Sequence, residues 1–292
     1  MIIRWRENTD KKGDLKIMNE SNTNALHREA FVILEETSRT FFIPISYLTD
    51  GLKEAVAAAY LCMRAIDEIE DHPELSPEVK QKLLLETSNF LKENTDNKER
   101  IAQVYKPYEA YLPEVTLRLT DWLKLCPFPL KERIAEATSV MAKGMAKWVQ
   151  RGWQIKSEDD LDDYTYYVAG LVGVMLSDIW EWHDNTSTDR NLAIAFGRGL
   201  QSVNILRNQS EDKDRGVNFF PDGWNEEDMF SYARRNLALG DAYIESLQPG
   251  SILHFCQIPL ALAHGTLDGL SQGKEKISRA EVKEIVSKVV GE

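Results

Sequence analysis

Residues 55–63, AVAAAYLCM, constrain what this chain can fold into more than any other stretch. As a helix the segment is apolar on nearly every side, so it belongs inside a protein, with other helices packed around it. It runs straight into RAIDEIED, residues 64–71, so the same helix ends in Asp67, Glu68, Glu70 and Asp71. A helix C-terminus carries the negative end of the macrodipole, and carboxylates there are unfavourable unless something cationic compensates. Arg64 can pair with an acid one turn on. The remaining acids suit Mg²⁺, a hard cation commonly shared between a few carboxylates and substrate phosphates. The competing reading is a solvated acidic face, the ordinary meaning of a charge run.

The rest of the chain has helical periodicity throughout, with no alternating strands, Asn-Gly hairpins or internal repeats. NALHREAFVILEETSRTF predicts a helix that ends near Pro44. The apolar helix starts after an N-cap at Thr49 or Asp50 and stops before Pro73, and SPEVKQKLLLETSNFLKEN starts a third with Ser76 as cap and Pro77 as first residue. Further helices are expected at 105–125, 131–155, 158–181, 188–213, 226–247, 251–271 and 279–290. No Gly/Ser- or Pro-rich linker divides the chain, so the expected architecture is one all-α domain over 25–292. The charged stretch 1–24 is expected to be a flexible tail, and Met18 offers an alternative start.

NILRNQSED, residues 204–212, repeats the acidic device. Asn204, Asn208 and Asp212 stand at i, i+4 and i+8 on one helical face, with Glu211 beside them and Arg207 adjacent. Leu200, Val203 and Leu206 provide the apolar side. An asparagine on a mostly buried helix can simply bond a neighbouring backbone. Two helices that each place an arginine among oxygen ligands could instead hold a diphosphate between two metal clusters.

Together these residues resemble the squalene/phytoene synthases, from about Thr37 to Leu267. TSRTF (37–41) is similar to the family's Ser-Arg-Ser-Phe segment, RAIDEIED to its D-x-x-E-D motif, and YTYYVAGLVG (164–173) to its Y-x-x-Y-V-A-G-L-V-G signature. NILRNQSED stands where the family has N-I-[IL]-R-D-x-x-E-D, and FCQIP (255–259) resembles a segment typical of its reductive, squalene-forming members. The resemblance implies an all-α isoprenoid synthase-type bundle around an apolar channel, and ionisation of farnesyl diphosphate or a similar prenyl diphosphate with Mg²⁺. Residue by residue, it implies metal ligands at Asp67, Glu70, Asp71, Asn208, Glu211 and Asp212, with Asn204 beside them at the substrate. It implies diphosphate contacts at Arg39, Arg64 and Arg207, and an aromatic lining of Phe41, Tyr60, Tyr164 and Phe255, with Tyr164 handling a proton near the cation. For each aromatic residue alone, core packing is the plainer reading. Reductive members also use NADPH; GRGLQS fails as a G-x-G-x-x-G loop, and the family binds its nicotinamide without one.

Two positions depart from the family pattern. Asn208 replaces the first aspartate of the second motif, so it brings an amide oxygen without a charge. Val217 stands where the family has an arginine, and Arg215, two residues earlier, is out of register. Three functions follow as expectations: head-to-head condensation of two farnesyl diphosphates, a phosphatase-like release of farnesol, and isoprenoid binding without catalysis. The intact DEIED cluster counts against the last, because clustered carboxylates cost stability that a carrier has no use for.

The net charge of −12, without a Lys/Arg cluster, excludes a nucleic-acid surface. Three cysteines without a CxxC pair suit a reduced, cytoplasmic chain. The uncharged run 246–267 is interrupted by Pro249, Gly250, His254, Gln257, Pro259 and His264, so it reads as a buried helix rather than a bilayer span. Peripheral membrane contact suits a lipophilic product, and a monomer is the default expectation.

Overall fold

The computed structural model describes residues 10–93, 95, 97–214 and 216–291, with side chains from Thr23 onward except that of Arg39. The described residues contain no strand. In chain order the helices are α1 (Asp10–Thr37), α2 (Arg39–Ser46), α3 (Leu52–Glu70), α4 (Pro77–Glu93), α5 (Lys98–Tyr105), α6 (Glu114–Leu117), α7 (Leu119–Leu125), α8 (Phe128–Gln150), α9 (Glu158–Thr165), α10 (Leu171–Asp184), α11 (Arg190–Arg207), α12 (Gln209–Asp214), α13 (Glu226–Glu245), α14 (Ser251–Ser271) and α15 (Arg279–Val290). A π turn, Tyr166–Gly170, joins α9 to α10. No helix among the described residues is long and apolar enough to cross a membrane.

The apolar helix is central, as its composition demands. Leu61, Cys62, Ala65, Ile66 and Ile69 of α3 are fully buried, and α1, α4, α6, α7, α8 and α10 pack around it. On the other side of the molecule α11 lies along α13, with α10 and α14 also against it. These two groups of helices form the walls between which the site lies.

Several element ends differ from the sequence expectation, each for a local reason. The first helix begins at Asp10 rather than Asn24, so the second part of the expected tail is helical; residues 1–9 lie outside the described residues. It breaks at Ser38 (φ −147°), whose hydroxyl accepts the N–H of Phe41 at 3.0 Å and starts α2, and Pro44 sits inside that helix. The N-cap of α3 is Gly51 (φ +83°), not Thr49 or Asp50, because the Glu54 carboxylate reaches back to the Gly51 N–H. Expected helix 105–125 is a series of short turns divided at Pro107 and Pro113, which cannot donate to a continuing ladder. Helix 131–155 starts earlier, at Phe128, and stops at Gln150, before left-handed Gly152 (φ +59°).

Gly173 of AGLVG and Gly197 of α11 set how closely α11 approaches α10 and the π turn. A Cβ on Gly173 of α10 would lie 2.3 Å from the Ala193 carbonyl oxygen of α11. One on Gly197 of α11 would lie 2.4 Å from the carbonyl oxygen of Ala169 in the π turn. Backbone thus meets backbone twice along this crossing, which only glycine permits. Gly173→Ala is expected to cost about 1–3 kcal/mol, the usual range for overpacking, read as a lower midpoint in chemical denaturation; an unchanged midpoint would refute the close crossing.

Candidate functional site

A cavity of about 660 Å³ opens between the walls. Asp67, Glu70 and Asp71 line it from the end of α3, and Asn204, Asn208 and Asp212 line it from α11 and α12. Both oxygen-rich faces therefore look into one space. Arg64, Arg207, Phe41, Tyr60, Tyr164 and Phe255 also line it. Glu211 does not: it is exposed on α12. Glu68 instead pairs with Arg64. Arg39 is the first residue of α2, and its side chain lies outside the described residues, as does Arg215.

The first wall is crowded with carboxyl groups. Burial pushes the Asp67 carboxyl up to about 8 despite Arg64, whose guanidinium lies 3.8 Å away, and Asp71 and Glu68 add to the rise. Glu70 is only 6% exposed, and burial, then neighbouring Asp71, pushes it up to about 8 even though Trp153 donates an indole N–H to it. Desolvation opposes the Arg64 charge, but Asp67 and Glu68 outweigh it and raise its pKa; its Nε is buried without a partner.

The second wall carries less charge. α11 ends at Asn208, where the chain bends before α12; the i→i−4 bonds Asn208 N–H to Asn204 carbonyl and Asp212 N–H to Asn208 carbonyl, both 2.9 Å, keep the three side chains on one face. The Asn208 amide oxygen accepts from Arg207 Nε at 3.2 Å, and Asn204 Nδ2 donates to Gln201 Oε1 at 3.5 Å. Asp212, 6% exposed, is the one carboxylate this wall gives to the lining. α12 closes with Gly216 (φ +76°) in a Schellman pattern, Val217 N–H to Asp212 carbonyl and Gly216 N–H to Lys213 carbonyl, both 2.9 Å. Val217 is half-buried outside the cavity lining.

That turn delivers Phe219, which stacks on Tyr164 at 4.8 Å between ring centres, 19° from parallel. Trp148 meets the same ring edge-on at 5.8 Å. Tyr164 stands at the end of α9, and the π turn beyond it, closed by Leu171 N–H to the Tyr166 carbonyl, turns Val168 and Ala169 to the cavity. Widened turns of this kind are frequent at functional sites. Burial pushes the Tyr164 hydroxyl well above its usual range, and the charges of Glu70, Asp71, Asp212 and Asp67 push it further. One hydroxyl thus feels the carboxylates of both walls. Elsewhere, Phe41 and Tyr60 face each other at 6.0 Å, and Phe255 packs edge-on against Trp180 at 5.4 Å. Burial raises the Tyr60 hydroxyl, partly offset by a hydrogen bond with Ser38.

Sequence reasoning missed Phe196, Phe219 and Tyr243 of the lining, and Trp153 behind it. The aromatic pair in NFFP was a signal for Phe219; nothing in the sequence marked the other three. Among the described residues, no three His, Cys, Asp or Glu side chains gather into a metal cage. Mg²⁺ fits the residues present in a different way. It needs only one or two carboxylates from the protein when phosphate oxygens and water supply the rest. Carboxyls held near pH 8 by burial and mutual repulsion are also groups that a cation would relieve.

Comparison with known proteins agrees with this architecture. Residues 34–229 match the squalene/phytoene synthase family. Squalene synthase of Rattus norvegicus is 28% identical over 296 residues, 91% of this chain and 68% of that protein. Squalene synthase of Eremothecium gossypii is 30% identical, over 88% of this chain and 64% of that protein. The chain thus spans about two thirds of the length of these relatives. Among solved structures, TcSQS in complex with the ligand BPH1237 superposes with a TM-score of 0.74 at 23% identity, covering 91% of this chain and 86% of that one. A dehydrosqualene synthase in complex with ligand gives 0.58 at 17% identity, covering 93% and 97%. With the family match extending over most of its length and the same all-helical fold around its cavity, the chain belongs to the squalene/phytoene synthase family.

Proposed function

We propose that this chain ionises farnesyl diphosphate in the presence of Mg²⁺ and joins two such molecules head to head, as its squalene synthase relatives' names suggest. The observation that carries this is the convergence of two oxygen-rich helix faces and an aromatic lining on one cavity. Bound between these faces, Mg²⁺ would neutralise the charge developing on departing pyrophosphate. Asp67, Glu70, Asp71 and Asp212 would hold it, with Asn204 and Asn208 as neutral oxygen donors. Arg64, Arg207 and Arg39 would grip the diphosphate. Phe41, Tyr60, Tyr164 and Phe255 line the cavity, and aromatic rings would stabilise a carbocation by about 0.5–2 kcal/mol each when desolvated. Tyr164 keeps its proton, since its pKa is raised, so it would stand beside the cation as a neutral hydroxyl.

A second reading, release of farnesol, has its own support. The Asn208 amide oxygen is engaged by Arg207, and the second wall offers a single lining carboxylate. A first ionisation served by the α3 acids can then outlast the coupled condensation, leaving water to capture the cation.

Purified protein with farnesyl diphosphate and Mg²⁺, with and without NADPH, separates the readings by product extraction. Squalene formed only with NADPH is expected; farnesol irrespective of reductant establishes the second reading, and unchanged substrate leaves a binding protein. Asn208→Asp combined with Val217→Arg is expected to raise the ratio of condensed product to farnesol about tenfold, equivalent to roughly 1.4 kcal/mol, in the same assay.

The raised carboxyls give a prediction for the metal-free protein. Asp67 and Glu70 titrate near 8 when folded and at ordinary carboxylate values when unfolded. The unfolded state therefore binds fewer protons between about pH 4 and pH 8, and stability falls across that window as pH rises. Thermal unfolding without metal should show a falling midpoint from about pH 5 to about pH 8. Glu70→Gln should flatten the fall and leave the protein more stable at the upper end by on the order of 1–3 kcal/mol. A midpoint independent of pH would contradict the crowding of the first wall.

A further inference from the structure

Trp153 lies behind the first wall, outside the cavity lining. After α8 the chain turns back through two consecutive left-handed residues, Gly152 (φ +59°) and Trp153 (φ +51°). The turn is tied by Trp153 N–H to the Trp148 carbonyl and Gly152 N–H to the Val149 carbonyl, both 3.0 Å. Glycine or asparagine adopts such geometry at lower cost, and a bulky residue held there calls for a reason in its side chain. The indole Nε1–H donates to Oε1 of Glu70, a bond that spans from the α8–α9 turn to the last residue of α3. Lys80 of α4 completes the arrangement, donating to the Glu70 carbonyl at 2.6 Å with its Nζ 5.4 Å from the centre of the Trp153 ring. The indole N–H is thus the donor that fixes the Glu70 carboxyl in its present orientation.

We infer that Trp153 is a positioning residue, whose indole N–H holds the Glu70 carboxylate in one orientation at the cavity so that a divalent cation meets it ready placed. The inference rests on the proposal above that Glu70 belongs to the metal-binding face. Partner groups of this kind act by fixing the rotamer of a ligand, and their loss lowers metal affinity more than it lowers stability. A merely structural tryptophan would show the opposite.

The test uses the full chain and Mg²⁺ titrated in the presence of inorganic pyrophosphate, with the rise in thermal midpoint as readout. Trp153→Phe keeps an aromatic ring under Lys80 and removes the N–H. Benzothienylalanine at 153 is nearly isosteric with tryptophan, replaces the N–H by sulfur, and decides the matter if the phenylalanine variant does not fold. Either change is expected to raise the Mg²⁺ concentration for half-maximal stabilisation about tenfold, with little change in the midpoint of the metal-free protein. On a Glu70→Gln background the same change should add no further loss, because the group being positioned is gone. A half-saturation within about twofold of wild type, or an equal loss with and without Glu70, overturns the positioning role. A wild-type protein that Mg²⁺ and pyrophosphate do not stabilise overturns the metal-binding proposal itself, and this inference with it.

Discussion

Burial of like charges at the end of an apolar helix is the constraint from which the rest of this structure follows. α3 has to run through the middle of the protein because almost none of its surface can face water. Its last turn then brings Asp67, Glu70 and Asp71 to the edge of a greasy cavity, where desolvation and mutual repulsion hold two of them near pH 8. Arg64 relieves only part of this, since it is shared with Glu68. Such a cluster is poor local design for a protein that merely has to fold, and this is the ground on which a bound cation is proposed for it.

The opposite wall is built on another principle. It offers amides where the first wall offers acids, and its arginine is turned onto Asn208. The asymmetry puts most of the lining carboxyl groups on α3, while the stacked aromatic pair, Tyr164 and Phe219, comes from α9 and from the loop after α12. Tyr164 is where the two walls meet electrostatically, its hydroxyl raised by carboxylates from both. The carboxyl groups and the stacked aromatic pair of the cavity thus come from different elements, and the Schellman turn at Gly216 leads into Phe219.

Much of this was legible in the residues. The all-round apolar run of α3 announced a buried helix, and the i, i+4, i+8 spacing of Asn204, Asn208 and Asp212 survived because the hydrogen-bond ladder continues through the bend. Glu211 is exposed and outside the lining, since neighbouring positions on a helix diverge by about 100° and one residue is enough to leave it. The helix expected at 105–125 failed where prolines outweighed periodicity. Trp153 left no mark in the sequence, because its partner Glu70 is distant along the chain and only the tertiary fold brings the two together. Pairings of that kind are invisible to local pattern, however specific they are.

The packing of α11 against α10 at Gly173 and against the π turn at Gly197 has one more consequence. Where main chain rests on main chain there is no side chain to flatten or rotate, so the girth of the cavity beside Ala169 and Ala193 is gauged by peptide groups alone. Swinging α11 outward to admit a bulkier guest would unseat it from the π turn, whereas trimming Met141, Met145 or Tyr243 leaves that seam intact. Variation in what this scaffold accommodates is therefore channelled into side-chain replacement elsewhere around the cavity, with the calibre at the seam held constant.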